Sequence, residues 1–220
     1  MTHLDIEIKR LKNEVLEMFD LVLLQMKKAS DSLMQMDREL AREVNFNEKR
    51  VNALELKIDK DCENIFALFN PVAIDLRFVL AVLKINYNLE RIGDIADGIS
   101  RYVVETKIPF DKEMIVQTRL GAMFSMSVEM LNDVRTAFDH EDTKVARGIF
   151  EKDDFLDEVN ASAIPTLEKI VKSDPDKIRE SLIIISTVRK LERTGDQIKN
   201  VAEEIIFYME AKILKHEGKQ

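Results

Sequence analysis

The sequence predicts an all-α protein built as two pseudo-symmetric antiparallel three-helix bundles. Three observations carry that prediction. Six glycines, four prolines and no tryptophan in 220 residues, with abundant Leu, Ile, Met, Glu and Lys, make a helix-forming composition. Apolar residues recur at spacings of three and four nearly throughout: Ile85, Leu89, Ile92, Ala96, Ile99 and Val103 trace one stripe, and Val188, Leu191, Ile198, Ala202, Ile205 and Met209 trace another. The hexapeptide LERIGD, residues 89–94, returns as LERTGD at 191–196.

The first helix is expected over 3–36 and stops where Asp37 caps a second, accepting bonds from first-turn N–H groups that have no partner within the helix. The second runs over 38–69 to Asn70-Pro71, which places a cap residue before a proline at the start of a third helix over 72–106. TKIPFDKE, around Pro109, is a further strong break and divides the chain into halves at 1–108 and 109–220. A fourth helix over 112–139 leads to Asp142, the cap of a fifth over 143–172. Asp174-Pro175 then repeats the cap-proline pair ahead of a sixth over 175–215.

The breaks fall in the same order in both halves, as duplication requires. DRELAREV (37–44) matches DTKVARGI (142–149) at an offset of 105, whereas the hexapeptides, and Arg77 with Arg179, match at 102. The second copy therefore has a loop three residues shorter. The long helices reach about 45 Å or more at 1.5 Å per residue.

Charge and cysteine usage narrow the function classes. The net charge is −8 with a pI near 5.1, and Lys and Arg are interspersed with acids rather than gathered into a basic stripe. No footprint for nucleic acid is visible. The single Cys62 can form neither an internal disulfide nor a thiolate zinc site, which suits a reducing compartment. The N-terminus is charged from its fifth residue, and the runs FVLAVL and LIII are too short to span a bilayer. A soluble, cytoplasmic protein is expected, long enough to pack a core without staples.

The repeated hexapeptide places a glycine inside a helix, where it costs roughly 1 kcal/mol against alanine. Around it, Glu90, Asp94 and Asp97 fall at i, i+4 and i+7 on one helix face. Glu192 and Asp196 repeat that face, with Lys199 at the i+7 place and Asn200 following. The preceding helix of the first half carries Glu48, Asn52, Glu55 and Asp59, and the 105 offset matches Asp153 and Asp157 to Glu48 and Asn52. A Glu and an Asp four apart beside Arg91 or Arg193 would ordinarily be a solvated face with ion pairs. Repetition with the glycine intact, and with acidic partners on the neighbouring helix, points instead to converging carboxylates that demand a cation. Oxygen ligands suit Mg²⁺, Mn²⁺, Ca²⁺ and iron.

Catalytic arrangements are missing from the sequence. A di-iron oxidase needs Glu-x-x-His on two helices, and His3, His140 and His216 lie near helix ends. There is no glycine-rich phosphate loop, Cys/His or Ser/His dyad, or His-Glu-x-x-His. The methionines and phenylalanines fall mostly on helical stripes, where core filling is their expected role. A non-catalytic protein is expected.

LERIGDIADGI, LERTGDQIKNVAE, DLRFVLAVLKI, ELAREV and VARGIFEKDDFLDE, in that arrangement, resemble the PhoU family of phosphate-transport regulators across essentially the whole chain. The resemblance implies paired three-helix bundles with multinuclear metal clusters on Glu/Asp-x-x-x-Asp motifs, matched here by Glu90/Asp94, Glu192/Asp196, Glu55/Asp59 and Asp153/Asp157. The expected ligands are thus Glu90, Asp94 and Asp97 with Glu48, Asn52, Glu55 and Asp59, and Glu192, Asp196 and Asn200 with Asp153 and Asp157. They would hold divalent or ferric ions: iron, manganese, magnesium or zinc. Lys199 stands where Asp97 does in the first half, and Ile164 where Asp59 does, so the second site should be poorer in carboxylates.

The resemblance also implies a cytosolic negative regulator that links the phosphate transporter's ATPase subunit to a membrane sensor histidine kinase, with a homodimer as the expected assembly. An accessory regulator of another phosphate carrier, a metal-dependent helical enzyme and a purely structural adaptor are the alternatives.

Overall fold

The computed structural model describes residues 2–106 and 109–211. It is helical without strands among those residues: α1 (His3–Gln35), α2 (Arg38–Phe69), α3 (Ala73–Glu105), α4 (Lys112–Gln117), α5 (Leu120–His140), α6 (Thr143–Ser173), a 3₁₀ turn (Pro175–Lys177) and α7 (Ile178–Glu210). The expected stretch 212–215 of the last helix, and residue 108 at the division between halves, lie outside the described residues.

Most boundaries have the expected local cause. Asp37 accepts from the N–H groups of Glu39 and Leu40, each at 3.0 Å, and Asp142 does the same for Lys144 and Val145. Thr2 and Asp5 close a capping box on α1. Asn70 behaves differently from expectation: at φ 46° it ends α2 in the left-handed region, and α3 begins only at Ala73. Asparagine tolerates that conformation, and Pro71 cannot continue the helix.

The expected fourth helix is two helices. Arg119, at φ 54°, turns the chain between α4 and α5, while the Thr118 hydroxyl donates to the Met114 carbonyl at 2.7 Å. At the other proline, Asp174 caps a single 3₁₀ turn through the N–H of Asp176 before α7 starts.

Each half is a three-helix bundle, but the two share one core. α3 packs along α7 in antiparallel register, with Lys84 bonded to both oxygens of Glu204 at 3.0 Å and Tyr102 hydroxyl 2.6 Å from Ser186 Oγ. Four rings, Phe19 of α1, Phe78 of α3, Phe138 of α5 and Tyr208 of α7, meet at centroid distances of 5.4–6.4 Å. Such contacts add to the area term that burial of the same rings supplies. Met18, Met26, Met123 and Met130 are fully buried, which confirms their core role.

Candidate metal centre

At each of the two repeated glycines the preceding helix fills the space that a Cβ would occupy. An alanine Cβ at Gly93 would lie 3.0 Å from Val51 Cγ1 and 3.5 Å from Glu48 Oε2. At Gly195 it would lie 2.5 Å from Asp153 Oδ1 and 2.6 Å from Leu156 Cδ1. The glycines thus let α2 lie on α3 and α6 on α7 with an acidic side chain of the earlier helix directly over each glycine. Glu48 and Asp153 are the repeat-equivalent acids.

In the first half, Glu48 is only 8 % exposed, and neither of its carboxylate oxygens has a hydrogen-bond partner. Burial, reinforced by Asp94, Asp97 and Glu90, pushes its pKa up to about 7. Glu90 is pushed up to about 7 as well, by burial and then by Asp94 and Glu55. Glu55 is raised by burial, Asp59 and Asp94. Glu48 and Glu55 of α2 thus lie within electrostatic reach of Glu90, Asp94 and Asp97 of α3, with Asp59 one turn beyond Glu55.

Two members are paired with arginine, Asp97 with Arg101 at 2.6 Å and Asp94 with Arg91 at 3.9 Å. Asp97 also accepts from Asn45 Nδ2 at 2.6 Å, and Asp59 accepts from Asn86 Nδ2 at 2.9 Å. Asn52 is exposed on α2. Among the described residues, no three acidic, histidine or cysteine side chains stand close enough to hold one ion as they are placed.

The second half is arranged otherwise. The Lys199 ammonium pairs with Asp153, and with Asp196 at 3.0 Å. Burial works against the charge of Lys199, but its bonds to Asp153 and Asp196 override it and hold the group above the ordinary lysine range. Burial outweighs Lys199 at Asp153 and holds its carboxyl above the ordinary carboxylate range, although the bond and charge of Lys199 work the other way. Glu192 is raised by burial, then Asp196, Asp157 and Asp153. Asn200 faces away from this arrangement toward α3, donating to Asn88 Oδ1 at 3.3 Å.

Between the two faces, α3 and α7 line an open groove of about 610 Å³ with Asp94, Asp97, Asp196, Arg91, Arg101, Lys190 and Arg193. Sequence reading missed Arg101, Asn45 and Asn86. Arg101 was legible as the i+4 partner of Asp97. Asn86 was signalled by an amide interrupting an apolar stripe. Asn45 lies 52 residues from Asp97, and no local signal marks it.

The PhoU domain model matches this chain twice, over residues 15–103 and 120–205. The chain belongs to the PhoU family. It is 32 % identical over 212 residues to the phosphate-specific transport system accessory protein PhoU of Edwardsiella tarda, covering 96 % of this chain and 86 % of that protein. To the PhoU homolog of Aquifex aeolicus it is 33 % identical over 212 residues, covering 96 % and 95 %. Among solved structures, PhoU from Pseudomonas aeruginosa superposes with a TM-score of 0.89 at 29 % identity, covering 94 % of this chain and 99 % of that one. The phosphate transport system regulatory protein PhoU from Streptococcus pneumoniae gives 0.84 at 26 % identity, covering 96 % and 99 %. The matched segments bracket both glycines and every acidic residue of the two faces.

Proposed function

We propose that this chain is a non-catalytic accessory protein of phosphate transport that represses phosphate-scavenging functions when phosphate is plentiful. It acts in the cytoplasm, as a homodimer, by docking on the transporter's ATPase subunit and on a membrane sensor histidine kinase. The observation that carries this reading is the similarity, over nearly the full length of both partners, to proteins named for that accessory role.

Two features support docking as the mode of action. No described helix is long and apolar enough to cross a membrane, so contact with membrane partners would be made from outside the bilayer. Apolar side chains also lie exposed at repeat-equivalent turns: Leu76 and Leu80 in the first half, Ile178 and Leu182 in the second. Because α3 and α7 are antiparallel, these patches lie at opposite ends of the molecule. Apolar surface with charged surroundings is what helix-face recognition uses. Deleting the gene should raise phosphate uptake and reporter expression several-fold in phosphate-rich medium. Unchanged uptake and expression would refute the regulatory reading, and a response confined to a different phosphate carrier would reassign the partner.

We infer further that the first-half face takes a hard or borderline cation. The unpartnered, buried Glu48 carboxylate and the elevation of both Glu48 and Glu90 beside other carboxylates fit such a ligand, since charge of one sign is left facing itself. Glu48, Glu55, Asp59, Glu90 and Asp94 would hold it, the flexible glutamates swinging inward. A bound cation supplies the positive charge that lets these groups ionise together, which ties α2 to α3. Binding then stabilises the fold by linkage. Metal-free protein titrated with Mn²⁺ or Fe³⁺ should show a rise in melting temperature of roughly 2–4 °C or more for each kcal/mol of linkage. Retention of no metal after dialysis, with no change in melting temperature, would reject this.

A further inference from the structure

We propose that Lys199 is a built-in counter-ion that takes the place of a metal in the second half, so that this chain holds metal ions on its first acidic face alone. The first-face part rests on the metal reading above; the second-face part stands on the geometry of Lys199.

Lys199 occupies the repeat position of Asp97, so one substitution removes a carboxylate and adds an ammonium at the same place. The ammonium does not point to solvent. It lies against Asp153, whose side chain is 4 % exposed, and 3.0 Å from Asp196, with its own side chain 27 % exposed. Asp153 is the counterpart of Glu48, seated over Gly195 as Glu48 is seated over Gly93. Where the first half leaves both oxygens of that acid unpartnered, the second half supplies a cation from the chain itself.

An ammonium carries three donors and one charge, enough to neutralise and bond two carboxylates. It also obstructs a competitor. A divalent ion seated between Asp153 and Asp196 would face that ammonium at a few ångströms in a partly desolvated place, where like charges repel strongly. Only Glu192 and the exposed Asp157 would remain to hold it, because Ile164 fills the position of Asp59. The packing of α6 on α7 is therefore set by the sequence alone, while that of α2 on α3 responds to metal supply.

The test uses Mn²⁺ with the full chain, read as metal retained per chain after dialysis and as melting temperature. Glu48→Gln/Asp94→Asn should retain no Mn²⁺. Adding Lys199→Ala to that background should create Mn²⁺ retention and a Mn²⁺-dependent rise in melting temperature. Without metal, the same change should lower the melting temperature by roughly 2–4 °C, about 1 kcal/mol for a chain of this size. Lys199→Gln, which keeps the length of the side chain, should follow Lys199→Ala, and Lys199→Arg should follow the parent. The proposal is overturned if the double variant retains Mn²⁺ that Asp153→Asn then removes. It is equally overturned if neither Lys199→Ala nor Lys199→Gln gains metal or changes the metal-free melting temperature. If the wild-type chain retains no Mn²⁺ while the Lys199→Ala triple variant does, the first-face reading fails and the counter-ion stands.

Discussion

The first and second halves place an acid over a glycine in the same way, yet Glu48 has no partner for either oxygen while Asp153 is paired with Lys199. The comparison shows that a duplicated fold does not duplicate its electrostatics. Backbone approach is inherited from the glycine, but neutralisation depends on a single position, Asp97 in one half and Lys199 in the other. Burying a carboxylate without a partner raises its pKa and costs stability when it ionises; burying it with an ammonium in good geometry offsets part of that penalty.

The sharpest way to break the comparison is to neutralise the two equivalent acids separately. In metal-free protein at pH 8, Asp153→Asn should destabilise by about 2 kcal/mol, because Lys199 loses its buried partner and keeps only Asp196. Glu48→Gln should stabilise by about 1–2 kcal/mol, since it removes an unpartnered charge and supplies an amide that can donate to neighbouring carboxylates. Chemical denaturation of both variants checks the opposite signs. Changes of the same sign would mean that the two halves are electrostatically alike.

A second probe acts on the glycines. Gly195→Ala forces apart Asp153 and Leu156, both buried, and should cost about 1–2 kcal/mol even after the gain in helix propensity. Gly93→Ala has its one tight contact with Val51 Cγ1 at 3.0 Å, which a small adjustment relieves, and should lie within about 1 kcal/mol of the parent. Thermal unfolding of the pair tests whether the second interface is the tighter one.

The smallest expected effect is a pH dependence carried mainly by the first half. Glu48 and Glu90 titrate near 7 in the fold and near 4.5 when unfolded, so between those values the folded chain holds protons that the unfolded chain lacks. Stability of metal-free protein should therefore fall as pH rises from about 4.5 to about 7, by on the order of 1 kcal/mol or more. Glu48→Gln should flatten that slope, and a slope unaltered by the substitution would place its origin elsewhere.

Much of the fold was legible because helices declare themselves locally. The stripes from Ile85 to Val103 and from Val188 to Met209 needed only spacing, and Asp37 and Asp142 needed only their places before those runs. Arg119 was not legible: nothing in QTRLG marks the left-handed residue that splits α4 from α5, since that residue is neither glycine nor asparagine. The site was half legible. The acids of α3 and α7 could be placed on one face by arithmetic, and Lys199 could be seen as the departure. Asn200 shared that face by count, yet the α3–α7 seam engages it with Asn88.

The sequence by itself determined the helices, the duplication, the glycine in each acidic stripe and the charge difference between Asp97 and Lys199. Tertiary structure decided that the halves share one core, that Glu48 is left without a partner and that Lys199 turns back to Asp153. The reason is one of range. Spacing along a helix fixes which side chains share a face within about one turn. Burial and ion pairing depend on which other helix covers that face and how far a flexible side chain can reach across it, and those are set only when the helices pack.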